Sequence, residues 1–524
     1  MFRLFLFSCL CLLGVSAQAL TTEQARAIAA GDTDARIAAL GEAAARVDAG
    51  LPALINGLLD DAVKITPAQV LIIQGEAVID AATGQPAALT EDAEDVVNNN
   101  RMRGALQAAQ AALKLLSPDL AVRKEAVAEL SRETLDAAQL PLIDKAFGAE
   151  TDAGLKETLG LMRAAIQIAV PDKAQRLEAA RTLAESGQSQ VRSLIQARLV
   201  DGVETDSEVR GALLVSLDRV SAKLAWGERL GVMFTGLSLG SILLLVALGL
   251  AITYGLMGVI NMAHGELMMI GAYATYLVQN AFKAWAPGWF DYYIWLAIPA
   301  SFLAAALVGA ALERLVIRWL YGRPLETLLA TWGISLVLMQ GVRSLFGAQN
   351  VPVENPAWLS GGVAVMSNLV LPFNRIAIIA FAFAVLAGVA LLIAKTRLGL
   401  FVRGVTQNRR MAACVGIHTA RIDTYAFALG AGIAGLAGCA LSQVGNVGPD
   451  LGQSYIVDSF MVVVLGGVGQ LAGTVYAALG LGVLNKFLEG WAGAVLAKIM
   501  VLVFIVIFIQ KRPQGIFALK GREA

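Results

Sequence analysis

The segment VMFTGLSLGSILLLVALGLAITYGL, residues 232–256, carries no charged side chain and is long enough to cross the hydrocarbon core of a bilayer as one helix. Apolar runs of spanning length also occupy residues 294–319, 326–346, 374–394, 423–443 and 494–510, with shorter candidates at 265–282 and 472–488. A further stretch, 455–470, is interrupted by Gly466-Gly467 and Gly469; counted as a short crossing it brings the total from eight to nine. The expected fold is therefore all-α: a polytopic transmembrane helical bundle over residues 224–524. Gly430, Ala434 and Gly438 recur every four residues and offer a smooth stripe for close helix packing.

The whole chain has 524 residues, 57% hydrophobic and 16% charged, with a mean hydropathy of +0.65. That balance excludes an intrinsically disordered chain, a collagen-like fibre and a disulfide scaffold. The charges balance at 41 against 41 but are unevenly placed. Residues 1–223 hold 22 Lys/Arg and 30 Asp/Glu; residues 224–524 hold 19 and 11, so the two parts face different solvents. No basic tract with interleaved aromatics occurs, which argues against a nucleic-acid partner.

Met1 to Ala19 has one basic residue, Arg3, then an apolar run from Leu4 to Val15, and closes on Ala17-Gln18-Ala19. The run is too short to span, and the small residues suit a signal peptidase, so residues 1–19 read as a cleaved signal peptide. The alternative is a retained anchor. Cleavage removes Cys9 and Cys11 and leaves Cys414 and Cys439, to which no disulfide or metal site is assigned. Residues 20–223 then form a secreted, extracytoplasmic, mainly helical soluble domain. Within it an Asp followed four residues later by Arg or Lys recurs at Asp119, Asp152, Asp172 and Asp206, with a weaker copy at Asp32. Each Asp can cap a helix N-terminus. The pattern resembles HEAT-type helical repeats, although intervals of 33, 20 and 34 residues fit an ordinary capped helical domain as well. Val70–Ile73 and Ala77–Ile79 around Gln74-Gly75-Glu76 read as a small β-hairpin, and Asn98-Asn99-Asn100 as a loop. This domain has no histidine and no nucleotide loop, so it reads as a docking or spacer module.

Charge sets the expected orientation. Lys395, Arg397, Arg403, Arg409, Arg410 and Arg421 crowd the 395–421 loop without one acid; Arg314, Arg318 and Arg323 lie in 314–325; Lys511, Arg512, Lys520 and Arg522 lie in the C-terminal tail. With the mature N-terminus outside and nine crossings, all three groups fall in the cytoplasm, as the positive-inside bias requires. Eight crossings would expel the basic tail. The 283–293 and 347–373 loops then face outward, with Trp285, Trp289, Tyr292, Tyr293 and Trp358 suited to the interfacial belt.

Between two apolar stretches stands Gly255-Leu256-Met257-Gly258-Val259-Ile260-Asn261-Met262-Ala263-His264-Gly265-Glu266. Polar groups at membrane depth line a wet path or are paired, and broken helices occur where backbone lines a cavity or is buried in protein. Two readings stand. Asn261, His264 and Glu266 form a gate or substrate contact, or His264 and Glu266 tie a structural knot with each other or with backbone. A catalytic zinc is not expected, since His-x-Glu lacks further ligands. In the basic loop Val405, Arg409, Ala412-Ala413 and Gly416 suit one short helix ending on a glycine cap.

The run Tyr254-Gly255, Gly258, Ile260-Asn261, Ala263-His264-Gly265-Glu266, Ile270-Gly271 and Tyr273 resembles the signature of LivH-type permeases, membrane subunits of branched-chain amino acid ABC importers. Thr396-Arg397-Leu398-Gly399, Arg403, Asn408, Ala412 and Gly416-Ile417 resemble the family's cytoplasmic loop. The likeness covers about 224–520, and the additional secreted domain is similar to the urea-importer branch. The resemblance implies a non-enzymatic, multi-pass permease of the bacterial inner membrane. It implies a second permease subunit, two ATP-binding subunits and an extracytoplasmic substrate-binding protein as partners, with ATP used by separate subunits and no cofactor on this chain. No G-x-x-x-x-G-K-[ST] occurs here. It also places the ATPase contact in the basic loop, with Arg403 and Arg409 as polar contacts and Ala412 as a close-packing point. The loop departs from the shared Glu-Ala-Ala-x-x-x-Gly coupling motif, since Arg410 stands where Glu would be. Tyr254, Asn261 and Gln443 are candidate amide-type contacts for urea. A branched-chain or other amino acid permease and a passive channel with a sensory domain are the alternatives.

Overall fold

The computed structural model describes residues 20–517, apart from 47, 49, 76, 91, 132–138, 259 and 513. The expected signal peptide with Cys9 and Cys11, and the tail residues Lys520 and Arg522, lie outside the described residues. The chain packs as two units that divide at Leu224 and Ala225.

The first unit opens with three helices, α1 (Thr22–Ala29), α2 (Thr33–Arg46) and α3 (Leu51–Leu59), on a small antiparallel sheet. The expected hairpin is there as β2 (Val70–Gln74) and β3 (Ala77–Asp80), joined by β1 (Val63–Ile65) and β4 (Glu94–Asp95) in the order β3-β2-β1-β4. Gly57 lets α3 approach this sheet, since a Cβ there would lie 2.8 Å from Ile72 and 3.0 Å from Val63. The Asn98–Asn100 stretch is not a plain loop. Buried Asn98 bonds Leu58 O and Arg36, and Asn99 caps α4 (Asn100–Lys114) by accepting from Met102 N at 2.8 Å.

The rest of the unit is helical: α5 (Leu120–Leu130), α6 (Leu140–Ala149), α7 (Ala153–Gln167), α8 (Lys173–Leu183), α9 (Ser189–Leu199) and the start of α10 (Ser207–Met257). The capping aspartates act as the spacing predicts. Asp119 accepts from Ala121 N, Asp152 from Gly154 N and Leu155 N, Asp172 from Ala174 N, and Asp206 from Glu208 N and Val209 N. The irregular intervals resolve into a duplication. Pro118-Asp119 returns as Pro171-Asp172 and Glu150-Thr151-Asp152 as Glu204-Thr205-Asp206, so a three-helix pattern occurs twice. In the first copy Arg123 donates to Ser117 O and Pro118 O and grips Glu150 with two nitrogens at 2.8 and 3.1 Å. In the second, Arg176 donates to Val170 O and Pro171 O, and its Nε lies 3.2 Å from Glu204.

The second unit is an all-α polytopic bundle, as the apolar runs predict. Its helices are α10, α11 (His264–Trp285), α12 (Tyr293–Leu315), α13 (Pro324–Phe346), α14 (Phe373–Lys395), α15 (Arg397–Gln407), α16 (Arg409–Cys414), α17 (Thr419–Ser442), α18 (Leu451–Gly466), α19 (Leu471–Ala492) and α20 (Ala494–Lys511). Among the described residues seven are long and apolar enough to cross a membrane: α10, α12, α13, α14, α17, α19 and α20. The remaining two of the nine expected crossings are α11, with its polar start, and the shorter α18. A hairpin of β5 (Gly362–Met366) and β6 (Leu369–Pro372) precedes α14.

Helices α10 and α17 are central, with 83% of the apolar window buried in each, against 17% for α13, α14 and α20. The small-residue stripe explains how α17 accepts neighbours. A Cβ on Gly430 would lie 2.7 Å from Gly249 O of α10, and one on Gly438 would strike Met268 O of α11. Gly435, on another face, would strike Ser301 O of α12. The tryptophans expected in the belt are exposed, but Tyr293 is not. It is fully buried, and its hydroxyl lies 2.8 Å from Glu354 O and 3.2 Å from Gln443 Oε1.

Candidate functional site

The break between α10 and α11 is built by three local devices. Gly258 takes φ +65°, which ends α10 where a side chain would be strained, and its N–H bonds Tyr254 O at 2.8 Å. Asn261 Oδ1 accepts from Ala263 N at 3.0 Å, turning the chain into α11. Met262 N donates to Thr331 Oγ1 on α13 at 3.1 Å.

His264 and Glu266 lie two positions apart on α11, so they face different neighbours. His264 Nε2 donates to Val246 O at 3.1 Å, in a space that α10 leaves open because residue 249 is glycine. Glu266 Oε1 accepts from Ser335 Oγ of α13 at 2.9 Å. The two are not bonded to each other. All three polar residues are essentially inaccessible, yet Asn261 Nδ2, His264 Nδ1 and Glu266 Oε2 have no protein partner. Tyr273 Oη, two turns along α11, is a fourth such atom. Buried polar atoms without partners are costly, and several around one helix break mark a place built for more than packing.

Of the other expected path residues, Tyr254 stands one turn before the break with its ring 6.4 Å from that of Phe460. Gln443 belongs elsewhere. It follows α17, bonds Tyr293 and Ser442, and helps line an apolar cavity of about 190 Å³ with Ile294, Trp295, Trp358 and Cys439. Thr331 and Ser335 were not anticipated. With Thr327 they form a stripe at four-residue spacing that holds all the buried residues of this helix, a periodicity readable in the sequence.

The basic loop contains two short helices where one was expected. Thr396 caps α15 through Gly399 N, and Asn408 ends α15 and caps α16 through Met411 N at 3.0 Å. The glycine cap is present: Gly416 has φ +88°, Gly416 N bonds Ala413 O, and Ile417 N bonds Ala412 O, which is a Schellman closure. Arg397 and Arg403 are exposed, and Arg403 also bonds its own Gly399 O. Gly399 is buried, where a Cβ would strike the backbone of Ile393. Ala412 points inward with Val405, among Leu248, Val389 and Ala426, so its close packing is internal. Arg409 turns back to ion-pair with Asp423 and lies over the Tyr321 ring. The exposed apolar side chains are Leu400, Met411 and Val415. Cys414, the last residue of α16, is exposed, whereas Cys439 is buried.

The family model described as branched-chain amino acid transport system / permease component matches residues 232–509. The high-affinity branched-chain amino acid transport system permease protein BraD of Pseudomonas aeruginosa is 29% identical over 285 residues, covering 54% of this chain and 93% of that protein. The high-affinity branched-chain amino acid transport system permease protein LivH of Escherichia coli is 28% identical over 295 residues, covering 54% and 94%. A probable branched-chain amino acid transport permease protein LivH of Methanocaldococcus jannaschii is 25% identical over 293 residues, covering 53% and 88%. No solved structure matches the chain. The match starts within α10 and ends within α20, so it spans the helix break, the stripe on α17 and the basic loop. These similarities and the apolar helices make the protein a multi-pass inner-membrane permease component and not an enzyme. The chain belongs to the branched-chain amino acid transport system permease component family.

Proposed function

We propose that this chain is the membrane-spanning permease subunit of an ATP-driven ABC importer that translocates urea delivered by an extracytoplasmic binding protein. The observation that carries the reading is the helix break, where Asn261, His264 and Glu266 offer unpartnered buried donors and acceptors within the matched region. Glu266 has a hydroxyl partner and no basic one among the described residues. A neutral diamide can be held by such groups, whereas the carboxylate of an amino acid calls for a cation. The first unit, lying before the matched residues, supports the urea branch that the extra domain resembles. Branched-chain amino acids, named for the relatives, are the second reading.

In this function two ATP-binding subunits drive transport, and the ATPase contact of this chain is the basic loop, where exposed Leu400, Met411 and Val415 sit among Arg397, Arg403 and Arg410. A second permease subunit covers part of the apolar helix faces. The mature chain begins at Leu20, residues 20–223 lie outside and the C-terminus is cytoplasmic. Proteoliposomes holding the complete complex test the substrate. Labelled urea should enter only with ATP and the binding protein, and excess leucine should not compete. Leucine uptake with no urea uptake would establish the second reading, and equal flux without ATP would establish a channel. Recovery of Met1 by N-terminal sequencing would overturn cleavage after Ala19, and protection of the first unit from protease in spheroplasts would reverse the orientation.

A further inference from the structure

Five separate segments bring side chains together at the end of the bundle that carries the basic loop. Arg409 opens α16, Asp423 and Thr424 lie in the first turns of α17, and Glu313 lies in the last turn of α12. Tyr321 precedes α13, and Met257 is the last residue of α10. Asp423 is 0% exposed and Glu313 2%. Glu313 accepts from Tyr321 Oη at 2.9 Å and from Thr424 Oγ1 at 2.6 Å. Asp423 pairs with Arg409, whose guanidinium lies 5.0 Å from the centre of the Tyr321 ring. The Tyr321 hydroxyl also lies 3.0 Å from Met257 Sδ, one residue before Gly258.

Of the two buried carboxyl groups only Asp423 has a basic ion-pair partner among the described residues, Arg409, while Glu313 is held by the hydroxyls of Tyr321 and Thr424. A buried charge stripped of its partner is strongly destabilised, so α16 has one well-defined seat on the bundle. The Tyr321 hydroxyl has a single proton and two acceptors, a carboxylate oxygen and the sulfur that ends α10. The guanidinium covers the same ring. Displacement of α16 therefore moves Arg409 against Asp423 and Tyr321, and through Tyr321 reaches the residue at which α10 stops.

We propose that Arg409, Asp423 and Tyr321 form a latch that passes movement of α16 to the Gly258 break, with Arg409 as a positioning residue for transport. This inference rests on the ABC-permease reading and adds the route by which the surface helix acts on the path. Small displacements at such a contact can switch a packed element between discrete arrangements.

The test uses the complete complex in proteoliposomes and measures solute uptake and ATP hydrolysis in the same sample. Asp423→Asn and Tyr321→Phe should assemble and hydrolyse ATP like the unmodified complex, while solute moved per ATP falls about tenfold. Arg409→Lys, which keeps the charge, should restore most of the ratio that Arg409→Gln loses. Unchanged ratios in both Asp423→Asn and Tyr321→Phe, with ATP-dependent uptake in the unmodified complex, overturn the latch alone. A Lys variant no better than Gln does the same. Should Asp423→Asn fail to assemble, Tyr321→Phe decides, since it removes one oxygen. Equal uptake with and without ATP in the unmodified complex overturns the permease reading and the latch together.

Discussion

Gly265 of α11 and Gly452 of α18 touch backbone to backbone: a Cβ on Gly452 would lie 2.8 Å from Glu266 N, and one on Gly265 would lie 2.8 Å from the Gly452 carbonyl carbon. The contact fixes the short α18 against the first turn of α11, immediately after the helix break. Gly452→Ala should force the two apart at about 1–3 kcal/mol, the usual range for overpacking. Thermal stability in detergent, read by loss of the monodisperse peak on heating, should fall. An unchanged profile would show that the helices can separate freely.

Glu266 and Ser335 form the polar link between α11 and α13. Ser335→Ala removes the one donor to Glu266 Oε1 and leaves a buried carboxyl without a protein partner, a loss of about 1–3 kcal/mol. Glu266→Gln keeps an acceptor for Ser335 but removes the charge. Uptake should fall at least about tenfold in Glu266→Gln and in His264→Ala, with membrane levels retained. Normal transport in both would remove the cluster from the path, and loss of the protein from the membrane would make its role structural.

The paired arginine and glutamate of the first unit predict a pH response. Arg123 holds the Glu150 carboxyl down at about 2 from an ordinary value of 4.5, helped by backbone N–H groups of Asp152 and Thr151. A depressed folded value means stability that is present above pH 4.5 and lost as pH falls towards 2. The melting transition of this unit should drop through that window. Arg123→Ala should already be less stable at pH 7 and should respond less to acid. Parallel curves for the two proteins would show that the pair does not set the acid sensitivity.

The loop predictions separate shape from contact. Gly416→Val places a β-branched residue at φ +88°, which costs about 1–3 kcal/mol and unwinds the Schellman closure. Ala412→Trp would overpack the interior where Ala412 lies, so loss of uptake in it reports packing. Met411→Asp and Val415→Glu instead change exposed positions. They should leave insertion intact and reduce copurification of the ATPase subunits several-fold. Full ATPase recovery in both would move the docking surface off α16.

The spans, the break and the glycine stripe were legible because each is a local pattern whose physics acts within one helix or one pair of helices. The aspartate caps were legible for the same reason. Their true period was hidden because the glutamates that close each copy, Glu150 and Glu204, are separated from their arginines by an intervening helix. β1 and β4 were missed because three and two residues are too few to show an alternating pattern. Tyr293 looked like a belt residue, since its sequence neighbours are aromatic, but its hydroxyl finds acceptors 61 and 150 residues away. Arg403 and Arg409 were expected to act alike as polar contacts, and only tertiary packing sets Arg409 apart by giving it a buried acid fourteen residues on.

The placement of the two described cysteines has a practical consequence. Cys414 ends α16 at the surface, five residues beyond the arginine of the latch, while Cys439 is enclosed within the membrane unit. Among the described residues the chain thus displays a single thiol that a maleimide dye can reach, and it lies on the helix whose displacement matters. An environment-sensitive fluorophore on unmutated protein would report α16 in real time. Signal arriving with nucleotide, before solute appears inside the vesicle, would give the order of events without any engineered label.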